Sequence, residues 1–166
     1  FDNYINDMKL AQEYAQLNRK EIGLAIICNM KWSIKENFDT VHNYIDTDAM
    51  ILRKGAVRAL EEQTLVIPIN MADGTLLCKG KGNPDWNYSA PHGAGRIKSR
   101  TQAMKELSMD EFESRMSNVW TTTAVKQTLD EAPMAYKPMQ EIIDAITDTV
   151  EVVDVLKPLY NFKGIE

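Results

Sequence analysis

Apolar residues recur at Tyr4, Met8, Ala11, Ala15, Ile22 and Ile26, a helical spacing that gathers them into one stripe and predicts a long amphipathic helix over residues 4–27. Residues 38–45 then mix aromatic, β-branched and polar side chains in the manner of a strand, and 49–52, 64–69 and 75–79 read similarly. A glycine-rich loop follows, after which the pattern turns helical again. Ser108-Met109-Asp110-Glu111 has the form of a capping box that opens a helix, and Pro138 suits the first turn of another carrying Ile142, Ile143 and Ile146. The β-branched run 150–156 predicts a final strand. No internal repeat, low-complexity tract or linker marks a domain boundary.

With 166 residues, the chain has the length of one globular domain or of part of a larger one. Its 44% hydrophobic content, with eight Gly and six Pro, excludes disorder and collagen-like repeats. No apolar run approaches the ~20 residues that span a bilayer. The first residue is Phe1, with no basic head of a signal peptide, which suggests a piece of something longer. Two cysteines are too few for a disulfide framework or a four-cysteine zinc site, and together with nine Met they suit a reducing compartment. The expected location is the cytoplasm.

A net charge of −5 hides an asymmetry. Residues 79–105 carry six basic groups against one acidic, and they hold Gly80, Gly82, Gly93 and Gly95, half of the chain's glycines. Positive charge and permissive backbone coincide there, which makes phosphate the first ligand to consider. An ordinary lysine-bearing surface loop is the plainer alternative.

Both histidines bear on this. His92 lies among small residues in Ser89-Ala90-Pro91-His92-Gly93-Ala94-Gly95-Arg96, followed by Lys98, Ser99 and Arg100. Small neighbours leave an imidazole accessible and let backbone amides approach an anion. An ordinary histidine titrates near pH ~6.5, so its neutral form is available to attack phosphorus at physiological pH. The competing role is a histidine that hydrogen-bonds a tight loop. His42, in Val41-His42-Asn43-Tyr44, would need further ligands to hold a divalent ion, and neither cysteine stands at ligand spacing. Taken alone, it reads as a satisfied core histidine.

Val41-His42-Asn43-Tyr44, Arg53-Lys54-Gly55-Ala56, Ile67-Pro68 with Met71, His92-Gly93-Ala94-Gly95-Arg96 with Ser99-Arg100, Glu131-Ala132-Pro133-Met134-Ala135-Tyr136-Lys137 and Lys163-Gly164 resemble, in order and spacing, the RtcB family of RNA ligases. The resemblance spans essentially the whole chain. It implies an α+β fold of mixed or antiparallel sheets with covering helices, in which the strands bearing His42 and Pro68 converge with the His92 loop on one cleft. It also implies that residues 1–166 are the C-terminal part of a single catalytic domain, whose N-terminal part lies elsewhere in the same protein. The implied activity joins an RNA 3′-phosphate or 2′,3′-cyclic phosphate to a 5′-hydroxyl, in transfer-RNA splicing or RNA repair, with GTP and Mn²⁺.

By the same resemblance, His92 is the nucleophile that forms a histidine–GMP intermediate, and His42 is a manganese ligand. The other metal ligands belong to the missing part, so this chain alone is expected to be inactive. Asn43 and the Gly93, Ala94 and Gly95 loop would contact the guanylate phosphate, while Lys163 and Tyr136 would contact the base. A lysine facing a carbonyl suits guanine over adenine. Pro68, Asn70, Met71 and Thr75 correspond to a phosphate-contacting stretch that in many relatives reads Pro-Gly-Ser-Met-Gly. Here it reads Pro68-Ile69-Asn70-Met71-Ala72, and Pro91 replaces a serine before the histidine, which removes a donor and stiffens the loop. These departures keep open a non-ligating relative that binds RNA ends or nucleotides.

Overall fold

The computed structural model describes residues 1–164. The chain opens with α1 (Asp2–Met30), which stops where Lys31 adopts φ 55° and its N–H caps the last carbonyls. The predicted helix is present, but its stripe faces a different way from expectation. Met8 and Ala15 are half-buried, whereas Tyr4, Ile22 and Ile26 are more than half exposed and no residue of α1 is buried. Side chains attach α1 instead. The Gln12 carboxamide donates to the Ile45 carbonyl at 3.2 Å and accepts from its N–H at 2.7 Å. Arg19 grips Asp39 through two hydrogen bonds.

Four small sheets follow. β1 (Asn43–Asp46) pairs antiparallel with β2 (Ile51–Lys54), and β3 (Ala56–Arg58) with a later strand, β6 (Ser89–Pro91). β4 (Thr64–Asn70), β5 (Gly74–Gly80) and β8 (Val150–Leu156) form the largest, an antiparallel sheet of order β4-β5-β8. β7 (Trp120–Thr121) runs parallel to β9 (Tyr160–Asn161). Three short helices, α2 (Arg100–Glu106), α3 (Met109–Arg115) and α4 (Met139–Ala145), complete the mixed fold of small, mainly antiparallel sheets with helices.

Alternation builds the core. Leu65, Ile67 and Ile69 of β4 and Leu76 and Cys78 of β5 are buried and pack with Ile142 of α4, Ile146 and Val150. Each such aliphatic side chain contributes roughly 1.5–3 kcal/mol by leaving water. Pro68 interrupts no ladder that matters, because β4 is an edge strand and the register shifts between Pro68 and Asn70. A second cluster gathers Met71, Phe112, Met116, Val119, Leu129 and Ala132. Met71 follows directly on β4, so the β4–β5 turn stands where the two clusters meet.

Several sequence expectations shift. The strand predicted over 38–45 pairs only from Asn43: before it the Asp39 side chain holds Arg19, and the His42 carbonyl accepts from Gly55. Ser108 precedes α3 but makes no capping hydrogen bond. The reciprocal capping box belongs to Ser99 and Gln102 at the start of α2, which the sequence reading missed. Pro138 sits one position earlier than expected, at the N-cap of α4. The strand over 150–156 stands as predicted. Among the described residues no helix is long and apolar enough to cross a membrane.

Candidate active site

Gly55 organises the two histidines. It has φ +67°, a left-handed conformation that glycine adopts without strain, and a Cβ there would press on the His92 ring at 3.4 Å. Its N–H donates to the His42 carbonyl at 2.9 Å and to Asn43 Oδ1 at 2.9 Å. Its carbonyl accepts from His92 Nδ1 at 2.7 Å. A carbonyl can only accept, so Nδ1 carries a proton, and in the neutral ring the lone pair is on Nε2. The His42 and His92 rings stack with centroids 5.0 Å apart and planes 17° from parallel. His42 is exposed and is not a core histidine, which corrects the reading made from its local sequence alone.

The loop after His92 rests on β4. Ala94 N–H donates to the Pro68 carbonyl at 3.0 Å, and a Cβ on Gly93 would stand 3.1 Å from that same oxygen. Gly95, at φ +70°, accepts from Lys137 N–H, tying the loop to the segment that carries Tyr136. Pro68 therefore contributes its carbonyl to the loop. Asn70 turns inward on its own hairpin: its Oδ1 accepts from the N–H groups of Ala72 and Asp73, and its Nδ2 donates to Asp73 Oδ2 at 2.7 Å. Met71 is buried in the second core cluster.

The cleft that holds the histidines also holds a polar network centred on Glu131. Its Oε2 accepts from Tyr136 Oη at 2.6 Å and from Lys163 Nζ at 3.4 Å. Its Oε1 faces Arg96 Nη1 at 3.4 Å and Arg100 Nη1 at 2.6 Å. Arg96 also donates to Tyr136 Oη at 3.1 Å and to the Asp130 carbonyl, its guanidinium lies 5.0 Å from the Tyr136 ring centroid, and Arg100 pairs with Asp130. Burial opposes ionisation of Glu131, but the Tyr136 hydroxyl, Lys163 and Arg100 outweigh it and hold its carboxyl below the ordinary value. Burial first, and then Glu131, pushes the Tyr136 phenol up to about 12.

These groups line one cleft of about 700 Å³, which brings His42 and His92 together with Glu131, Tyr136 and Lys163. The sequence-derived candidates Pro68, Asn70, Met71, Thr75, Gly93, Ala94 and Gly95 line it as well. Asn43 is the exception: it lines a separate hollow against α1, and its oxygen is engaged by Gly55. The basic segment does not act as one patch. Arg96 and Arg100 reach the cleft, while Lys79 and Lys81 donate to the carbonyls of Glu62 and Thr147, and Lys98 pairs with Glu106. Sequence reasoning missed the central role of Glu131, whose only signal was its place in a motif. It also missed Asn161, whose Oδ1 has no hydrogen-bond partner among the described residues.

Among the described residues no three of His, Cys, Asp and Glu converge to hold a metal ion. Cys28 is exposed on α1, and Cys78 is buried in β5 with its thiol pushed up to about 11. His42 is thus a single donor beside the cleft.

A model of the tRNA-splicing ligase RtcB family matches residues 1–164. The chain is 32% identical over 181 residues to RNA-splicing ligase RtcB1 of Escherichia coli strain ATCC 25922, an overlap of 99% of this chain and 44% of that protein. It is 30% identical, with the same coverage, to RNA-splicing ligase RtcB of E. coli K12. RNA-splicing ligase RtcB homolog 2 of Entamoeba dispar is 27% identical over 97% of this chain and 38% of its own length. The chain spans less than half the length of these relatives.

Proposed function

The chain belongs to the RtcB family of tRNA-splicing ligases, and on that premise we propose that its whole protein is a GTP-dependent RNA ligase in which His92 is the nucleophile. The observation that carries the proposal is the His92 Nδ1 hydrogen bond to the Gly55 carbonyl, which in the neutral ring puts the lone pair on Nε2, in a cleft shared with Lys163 and Tyr136. Nε2 attacks the α-phosphorus of GTP, the bond to the β-phosphate oxygen breaks, and pyrophosphate leaves. The guanylyl group then passes from nitrogen to an RNA 3′-phosphate, derived where necessary from a 2′,3′-cyclic phosphate. Finally a 5′-hydroxyl attacks that activated phosphorus and GMP departs. Each transfer depends on charge neutralisation and in-line positioning, which glycine-loop amides and the Arg96 and Arg100 guanidinium groups favour.

Lys163 and Tyr136 are proposed for the base, and the loop backbone for the phosphate through the Gly93 and Gly95 amides, the Ala94 N–H being held by the Pro68 carbonyl. Mn²⁺ would supply neutralisation of phosphate charge, with His42 as one ligand. The donors among the described residues do not complete such a site, so the remaining ligands are assigned to the rest of the protein, and this chain alone is expected to bind the ion weakly and to be inactive. Transfer-RNA splicing or RNA repair in the cytoplasm is the proposed setting.

A second reading has its own support. The amides of Ala72 and Asp73 are already taken by Asn70, so the β4–β5 turn offers less to a phosphate than a glycine turn would. That favours a relative that binds RNA ends or nucleotides without ligating them. Incubation of the full-length protein with Mn²⁺ and α-labelled GTP separates the two. Acid-labile label on the protein, lost in His92→Ala, is expected; no label on intact protein puts the binding reading ahead.

A further inference from the structure

We propose that Glu131 is the positioning residue of this cleft, fixing the Lys163 ammonium and the Tyr136 ring so that an incoming base meets a preset donor. The inference deepens the guanylate-binding reading and rests on it. One carboxylate ties together three stretches far apart in sequence: the exit of the His92 loop through Arg96 and Arg100, the 131–136 turn through Tyr136, and the Lys163 segment. The backbone of Lys163 is separately anchored, its N–H donating to Thr123 Oγ1 at 3.0 Å, so what Glu131 adds is placement of the side-chain amine.

A lysine amine on a flexible four-carbon stem loses rotamer freedom when it engages a ligand, and a partner that already restrains it lowers that cost. The geometry leaves donors to spare. An ammonium has three N–H groups, the contact to Glu131 is a long 3.4 Å, and the carboxylate is shared with three other donors. The spare N–H groups suit a carbonyl acceptor such as O6 of guanine and are opposed by the amino group of adenine, which is itself a donor. Glu131 is assigned no contact of its own with the base or the reacting phosphorus. It acts through Lys163 and Tyr136.

The test uses the full-length protein and steady-state labelling with GTP and ATP. Glu131→Gln keeps the shape and removes the charge. It is expected to raise KM for GTP about tenfold and to reduce the preference for GTP over ATP by a similar factor, with kcat at saturating GTP changing far less. Lys163→Gln is expected to lose the same preference, and the double variant to lose less than the sum of the two single losses, because both changes break the shared Glu131–Lys163 interaction. Additive losses, or wild-type KM and preference in a folded Glu131→Gln protein, would overturn the inference. Should Glu131→Gln fail to fold, Lys163→Gln alone decides: retained GTP preference refutes the assignment. Tyrosine absorbance titration, referenced to Tyr136→Phe, reads the same clamp without any nucleotide. The Tyr136 phenol is expected to ionise at lower pH in Glu131→Gln, and an unchanged titration would contradict the clamp. A wild-type protein that takes up no GTP but shows this titration shift would sink the guanylate reading while leaving Glu131 as the holder of Tyr136.

Discussion

Helix α1 runs for 29 residues without one buried side chain, whereas His92 and the few residues after it exchange hydrogen bonds with Gly55, Pro68, Ala135 and Lys137. The helix owes its shape to local i to i−4 bonds and is joined to the sheets through Gln12 and Arg19. The cleft owes its shape to contacts between residues tens of positions apart. Length and regularity therefore say little about which part of this chain is held most exactly. What holds the histidines and their loop is backbone: β3 and β6 bring Gly55 beside His92, and the edge of β4 supports the glycine loop.

Changes in the cleft should therefore dominate changes in α1. The largest effect is expected for His92→Ala, which removes the nucleophile and should lower protein guanylylation by at least about a thousandfold, as read by retained label. Next is Gly55→Ala. A side chain at φ +67° costs about 1–2 kcal/mol, and its Cβ meets the His92 ring at 3.4 Å, so thermal unfolding should come earlier and labelling should slow.

The pH dependence of stability sharpens the same contrast. The Glu131 pKa lies below its ordinary 4.5 in the folded protein, so the unfolded chain takes up a proton first as pH falls. The stability that Glu131 contributes is present above that value and is lost as pH drops through the lower folded one. The Tyr136 pKa is raised from 10.0 to about 12, so its contribution is complete below pH 10 and is lost as pH climbs through about 12. Chemical denaturation across pH should show both limbs, and Glu131→Gln should flatten the acid one. The smallest effect is expected for Gln12→Ala. Loss of an exchanged amide pair costs about 0.5–1.5 kcal/mol per hydrogen bond at most, so amide exchange at Ile45 should quicken while labelling stays at the wild-type rate.

The same division explains what the sequence made legible. The strands at 64–69 and 75–79 alternate across a buried face, the strand at 150–156 announces itself by its β-branched run, and α1 by a length that carries a helical period. Ala56–Arg58 and Ser89–Pro91 are three residues each and are strands only because they find one another, which no local pattern records. His92 stood out through its small neighbours, and the family motifs brought His42 and Lys163 to the same cleft. The roles of Asn70 and Glu131 were hidden. An asparagine that satisfies its own turn and one that binds phosphate look alike in one dimension. A glutamate shared by four donors becomes visible only when residues 96, 100, 136 and 163 meet around it.

The central claim is most directly tested by nitrogen–phosphorus coupling. Full-length protein carrying ¹⁵N-histidine, incubated with GTP and Mn²⁺, should show a phosphoramidate whose phosphorus couples to Nε2 of His92, with Nδ1 still protonated by virtue of its bond to Gly55, and the signal should vanish in His92→Gln. A phosphoramidate on Nδ1, on another histidine, or on none would contradict the account.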